Sequence, residues 1–319
     1  MLLNNWGITA MDIFKILDRL KRKYTSLILY CLLDRIPIIV MGDKSTQVED
    51  FIIDLSNLVP FRKEFVFYTD FISKLEYENL IQNEDIDYNS QRTHIRCPCD
   101  VSLKALTQFD NFISWIIGIV IPKQNENLFY IKNLIRKKIT KFLTIIISSN
   151  TVSIEIEGIN IKQINLTLEQ EILQKISQDT EKSIIKMKRV LSDKIKSRKL
   201  DNDLIITLLD FEVEKNELKK NIFNKEIQNF YSGSKRAFFI LSRLNLLNNL
   251  EMSATIGNNT LLKTIDYYQT PLDGIISAPL NRIISFIHKE WGIDFSHLIE
   301  NGSNAKKVDV GDKIQSMWG

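Results

Sequence analysis

The chain has 319 residues, of which 44% are hydrophobic and 25% are charged, and its formal net charge is +3. This composition is ordinary for a globular protein, and the length favours two domains over one. So small an excess of positive charge excludes a protein that is basic over its whole surface. Any surface for nucleic acid must therefore be local.

The three cysteines, Cys31, Cys97 and Cys99, do not form the even, spaced set of a disulfide framework. No apolar run is long enough to cross a bilayer, and the first residues lack the layout of a signal peptide. We therefore predict a soluble, cytoplasmic protein. Because Met11 opens a predicted helix, residues 1–10 are treated as a hypothetical upstream extension, and the choice between Met1 and Met11 as the start stays open.

The first half of the chain alternates between helical and strand patterns. The predicted helices lie at about 12–33, 46–58, 73–81, 100–112 and 128–141, and the predicted strands at about 38–41, 64–68, 93–97, 115–121, 143–148 and 152–157. Strands that alternate with helices predict βαβ units with right-handed crossovers.

Two strands carry further information about the sheet. The run Ile38–Met41 is apolar without alternation and ends at Gly42, which suits a strand covered on both faces. Residues 154–157 alternate isoleucine with glutamate, which predicts an antiparallel edge strand with one wet face. The predicted fold class is α/β, with an open, Rossmann-like, mainly parallel sheet between helices, followed by a mostly α-helical region.

From Thr167 onward the apolar residues recur at helical spacing. One long stripe runs through Leu168, Ile172, Ile176, Ile184, Met187, Leu191 and Ile195. Further helices are predicted from Asp203, over about 233–250, and at two later positions. We assign 11–160 to the α/β domain, 161–300 to a helical domain and 301–319 to a C-terminal tail. Whether 161–319 forms one domain or two stays open.

The most suggestive ligand site is the turn after the first strand, which contains Gly42, Lys44, Ser45 and Thr46. A helix that starts behind a buried strand offers free backbone N–H groups to an anion, and the Lys-Ser pair matches the end of a phosphate-binding loop. The glycines of that loop are missing, since Asp43 and Ile38 stand in their places. The turn is therefore interpreted either as a simple helix cap or as a weak nucleotide or phosphate site.

Asp70 follows the second predicted strand, at the sheet edge where open α/β sheets bind ligands. It is a second candidate for cofactor binding, and its alternative role is to cap the next helix.

The sequence shows no catalytic constellation. His94, Cys97 and Cys99 lie close together, but their spacing does not match a zinc site, and no nucleophile motif is present. We predict no metal and lean towards a protein that is not an enzyme, with its cofactor, if any, unknown. No set of signature residues assigns the chain to a known family.

Basic residues concentrate towards the end of the long helical stripe and in a later helix. The candidate interaction residues are Lys186, Lys188, Arg189, Lys194, Lys196, Arg198, Lys235, Arg236 and, as a docking anchor in the tail, Trp318. Cations at a helix C-terminus are favourable in any case, but they could also contact phosphates or an acidic protein.

We therefore predict a non-catalytic regulatory or scaffold protein that binds another macromolecule through its helical region. The partner is expected to be a protein, or a second copy of this chain. The alternatives are a nucleotide- or phosphate-binding protein that uses residues 42–46 and Asp70, and a nucleic-acid binder that uses the basic helix end at 186–199.

Overall fold

The computed structural model describes residues 22–71, 73–82, 92–121, 126–148, 152–196, 212–264 and 278–300. The α/β part contains the helices α1 (Arg22–Leu33), α2 (Ser45–Ser56), α3 (Lys74–Gln82), α4 (Ser102–Gln108) and α5 (Glu126–Lys138). Its strands are β1 (Ile38–Gly42), β2 (Lys63–Val66), β3 (Thr93–Cys97), β4 (Trp115–Val120), β5 (Phe142–Ile147) and β6 (Val152–Glu157).

These strands form one sheet in the order β2-β3-β4-β1-β5-β6. The first five run parallel, whereas β6 pairs antiparallel with β5 at the edge. Strand β1 lies between β4 and β5, with Val40 opposite Gly118 on one side and Ile145 on the other. The predicted fold class is confirmed, as is the antiparallel edge strand.

Helices cover both faces of this sheet. On one face, α2 packs against β1, β3 and β4. It lies so close that a Cβ built on Gly118 would come within 3.1 Å of Val48 and 3.2 Å of Ile52. Because successive strand residues point to opposite faces, Ile117 and Ile119 face the other way. There they join a core with side chains from α3, α4 and α5, in which Trp115 is fully buried.

The second face of the sheet carries a cluster of aromatic residues. Trp115 is surrounded by the rings of Phe67, Phe71, Tyr77, Phe109 and Phe112, with centroid distances from 4.9 to 6.1 Å. Most of these pairs are edge-to-face or tilted, the arrangements that aromatic rings prefer. The cluster ties β4 to the turn after β2 and to helices α3 and α4.

The later part of the chain is mostly helical. It contains α6 (Thr167–Lys196), α7 (Glu212–Asn249), α8 (Asn258–Thr264) and α9 (Ala278–Trp291), together with the two short paired strands β7 (Ile256–Gly257) and β8 (Ile299–Glu300). Helix α6 packs against α1 of the sheet region. In the first half of α6, Leu168, Ile172 and Ile176 are buried.

The chain divides into two compact units between Ile227 and Gln228. The second unit has a core of its own, in which Phe238 stacks on Trp291 at 4.8 Å and Phe230 lies 5.0 Å from Phe286. The domain boundaries at 160 and 300 stay a prediction, and the predicted tail lies outside the described residues. None of the described helices has the length and hydropathy that a membrane-spanning helix needs.

Candidate functional site

The turn between β1 and α2 is shorter than a phosphate-binding loop. Strand β1 ends at Gly42 and α2 begins at Ser45, so only Asp43 and Lys44 separate them. The strand end is also tightly enclosed, because a Cβ on Gly42 would lie 2.8 Å from a methyl group of Val48. A two-residue connection leaves no loop that could wrap a polyphosphate. Lys44, Ser45 and Thr46 are exposed to solvent, as a simple turn allows.

This turn nevertheless lies where an open sheet is expected to bind a ligand. Helix α2 covers one face after β1, and α5 follows the neighbouring β4 on the other face. Open sheets bind ligands where neighbouring connections leave on opposite faces in this way. The surroundings of this sheet edge are acidic. The backbone N–H of Cys99 donates to Glu49 at 2.6 Å, and Asp43 and Asp100 stand nearby in the chain. These carboxylates oppose the binding of a phosphate.

The thiols at this edge of the sheet have raised pKa values, which favour their protonated form. Burial, together with the charge of Glu49, raises the pKa of Cys99 to about 12, and burial raises the pKa of Cys97 as well. All three cysteines are free. A protonated thiol is neither a nucleophile nor a metal ligand. Within the described residues, no group of three His, Cys, Asp or Glu side chains could hold a metal ion.

Asp70 has a structural role in the turn that follows β2. Its carboxylate accepts a hydrogen bond from the backbone N–H of Val66, and its own N–H donates to the carbonyl of Val66 at 2.9 Å. It does not cap α3, as the alternative interpretation of Asp70 expected. That helix is capped by Ser73 and Glu76, which exchange hydrogen bonds at 3.2 Å in a capping box. Whether Asp70 contributes to a cofactor site stays a prediction.

A buried polar cluster under α2 was not foreseen from the sequence. Ser56 of α2 donates to Glu64 of β2 at 2.6 Å and lies 2.6 Å from Nε2 of His94 on β3. Glu64 also accepts from Arg96 at 2.8 Å. Since the single hydroxyl proton of Ser56 goes to Glu64, Nε2 of His94 must donate to Ser56.

This cluster lies in the interior of the sheet region. Ser56 is 5% exposed and His94 is 3% exposed. Burial and the neighbouring charge of Arg62 lower the pKa of His94 to about 3, which keeps the ring neutral. The cluster joins one helix to two strands. Residues so far apart in the chain give no spacing signal that could have revealed it.

The burial of the apolar face of α6 changes halfway along the helix. Counting from Ile176 in steps of three or four residues, the buried face continues through Thr180, which is buried, to Ser183, Met187 and Val190. Met187 and Val190 are 38% and 46% exposed. We call Ser183, Met187 and Val190 the distal face of α6. It continues the face on which Leu168, Ile172 and Ile176 are buried, but Met187 and Val190 are exposed to solvent.

Two of the predicted interaction residues border this face. Lys186 and Arg189 are exposed, and no ion pair of either residue occurs within the described part of the chain. We call this pair the basic flank. Lys182, one turn before Lys186, lies 3.6 Å from Asp179.

The other predicted interaction residues are spread more widely. Lys188, Lys194 and Lys196 lie on α6 within its last three turns. Lys235 is half-buried and Arg236 exposed on the part of α7 that belongs to the second compact unit. Arg198 and Trp318 lie outside the described residues.

Comparison of the chain with protein-family models, with curated proteins and with solved structures found no match.

Proposed function

We propose that this is a non-catalytic protein that docks another protein on the distal face of α6. The observation that carries the proposal is the change along one helical face, from buried Leu168, Ile172 and Ile176 to exposed Met187 and Val190. A helix that only completed the core would turn a polar surface to solvent where its burial ends. Methionine is also a side chain that adapts well to a partner surface.

The small apolar area of the distal face limits the binding free energy that it can supply. Complete burial of a fully exposed apolar side chain of this type stabilises a complex by about 1.5–3 kcal/mol. Two partly exposed side chains supply less, so they serve as an anchor that surrounding contacts must complete. The proposal therefore concerns an interface that extends beyond Met187 and Val190.

The nucleotide alternative receives less support from the geometry. The connection after β1 has two residues, and the carboxylate of Glu49 accepts a hydrogen bond from the backbone N–H of Cys99 at 2.6 Å near the same end of the sheet. Neither feature favours the binding of a phosphate. The nucleotide alternative stays a prediction.

A photo-cross-linking residue in place of Ser183, used in the full chain in extracts of the native host, tests the proposal. We expect one discrete cross-linked protein, and we expect Val190→Glu to reduce its yield about tenfold because the substitution puts a charge into the buried centre of an interface. The matched control is Ile185→Glu, which makes a similar change at a side chain that is 66% exposed and points away from the distal face.

The control must leave the yield unchanged, and circular dichroism must show that both variants fold. Equal yields for Val190→Glu and the original chain would contradict docking on this face. Equal losses in both variants would mean that the helix as a whole, and not the distal face, is required.

A further inference from the structure

The basic flank and the distal face lie side by side along α6. Lys186 and Arg189 precede Met187 and Val190 by one residue each, so in a helix they form a parallel stripe about 100° around the axis. The charge in this segment is strongly one-sided. Residues 182–196 contain six lysines or arginines and a single acidic residue, Asp193.

Compensation of the helix dipole does not account for Lys186 and Arg189. The dipole acts on charges within about the last turn of a helix. Helix α6 ends at Lys196, so Arg189 lies about two turns and Lys186 almost three turns before its end. Their position beside an exposed apolar stripe therefore needs another explanation.

From this arrangement we infer that the partner of α6 is a protein whose docking surface has an apolar centre bordered by carboxylates. This inference rests on the proposed function and adds the chemistry of the partner. Carboxylates opposite Lys186 and Arg189 would provide the electrostatic complementarity that gives an interface its specificity and association rate.

The charges of Lys186 and Arg189 argue against two other binding partners, a second copy of this chain and a nucleic acid. In an antiparallel two-fold contact between two copies of α6, the basic flank of one copy would lie on the same side as the basic flank of the other, and like charges repel. A nucleic acid would satisfy the cations through its phosphates, but it would leave Met187 and Val190 without an apolar partner.

The test uses the cross-linker at Ser183 in the full chain and compares two charge reversals of equal size. Lys186→Glu combined with Arg189→Glu changes the basic flank, and Lys137→Glu combined with Lys141→Glu changes exposed lysines elsewhere in the same compact unit. We expect the flank variant to lose the cross-link about tenfold or more, and the control to keep it. Peptide mapping of the cross-linked product should identify a partner segment with a net negative charge.

Each other outcome overturns the inference in a recognisable way. A cross-link that survives reversal of the flank but is lost in Val190→Glu leaves the proposed function standing and removes the acidic partner. A product that consists of two copies of this chain, or that disappears after nuclease treatment, identifies one of the excluded occupants. Absence of any cross-link in the original chain contradicts the proposed function, and the inference with it.

Discussion

At the scale of single residues, the buried cluster of Ser56, Glu64 and His94 shows how polar groups lock the sheet to its helix. Burial acts to raise the pKa of Glu64, but hydrogen bonds from Ser56 and Arg96 outweigh it and lower the pKa. His94 is neutral at neutral pH because its pKa is about 3. The folded state therefore needs an uncharged histidine and an ionised glutamate at the same place.

The sign of the pH dependence follows from these shifts. In the unfolded chain a histidine binds a proton near pH 6.5, whereas folded His94 binds one only near pH 3. Between these values the unfolded state holds one more proton, so we expect the free energy of unfolding to fall as the pH is lowered, with a slope of up to about 1.4 kcal/mol per pH unit from this residue. Urea unfolding at pH 7.5 and at pH 5 measures the effect.

The control for this prediction is His94→Gln, whose amide can still donate to Ser56 but does not titrate. The stability of this variant should change less between pH 7.5 and pH 5 than the stability of the original chain. This pH range lies above the ordinary titration of carboxylates, so they contribute little to the difference. An identical pH dependence in both proteins would show that His94 does not carry the effect.

At the scale of elements, two glycines end secondary structure with the same backbone angle in different surroundings. Gly158 follows β6 and Gly292 follows α9, and both have φ of +74°. A Cβ on Gly158 would lie 1.9 Å from the carbonyl oxygen of Thr140, whereas a Cβ on Gly292 meets nothing within 4 Å. The first glycine is required by space and angle, and the second by angle alone.

We therefore expect Gly158→Ala to destabilise by about 3 kcal/mol or more, because strain is added to a clash with rigid backbone. Gly292→Ala should cost only about 1–2 kcal/mol, the usual penalty for a left-handed angle. Amide hydrogen exchange of β5 and β6 in the first variant, and of α9 in the second, reports each local effect. Equal losses of protection would contradict the steric argument.

Helix α7 shows why element boundaries were harder to predict than element types. The sequence suggested one helix from Asp203 and another from Gly233, but α7 runs unbroken from Glu212 to Asn249. A glycine inside a helix costs roughly 0.5–1 kcal/mol. Here Phe230, Tyr231 and Phe238 are buried around it. Their burial outweighs that cost, and local propensity contains no information about such packing.

At the scale of the whole molecule, the strand order decides where a ligand crevice could form and what surrounds it. The expected ligand position is at the carboxyl ends of β1 and β4, near the two-residue connection and Glu49. A nucleotide site there would have to overcome both the missing loop and the acidic surroundings. The expectation for the complete protein is that it binds no nucleotide at this position.

A thermal-shift screen with ATP, GTP and their diphosphates, each with Mg²⁺, tests this expectation. A ligand present at about a hundred times its dissociation constant would stabilise the protein by about 2.7 kcal/mol and raise the melting temperature clearly. We expect no rise for any nucleotide. A rise that is lost in Lys44→Ala but kept in Lys63→Ala, a lysine on the edge strand β2, would establish the nucleotide alternative.

The sequence by itself determined the features that depend on local periodicity. The unbroken apolar run of β1 required a strand covered on both faces, the alternation in β6 required an edge strand, and the stripe from Leu168 required a long amphipathic helix. These patterns state which face of each element is apolar, because side-chain direction repeats with a fixed period in helices and strands.

Only the tertiary structure decided which faces meet. It placed β1 between β4 and β5, brought Ser56 to His94 from 38 positions away, and buried Leu168, Ile172 and Ile176 of α6 while Met187 and Val190 stayed exposed. Contacts between distant segments depend on how all apolar faces are buried together, and a local pattern cannot specify that. For the same reason the distal face became recognisable as a candidate docking surface only once the burial of α6 along its length was known.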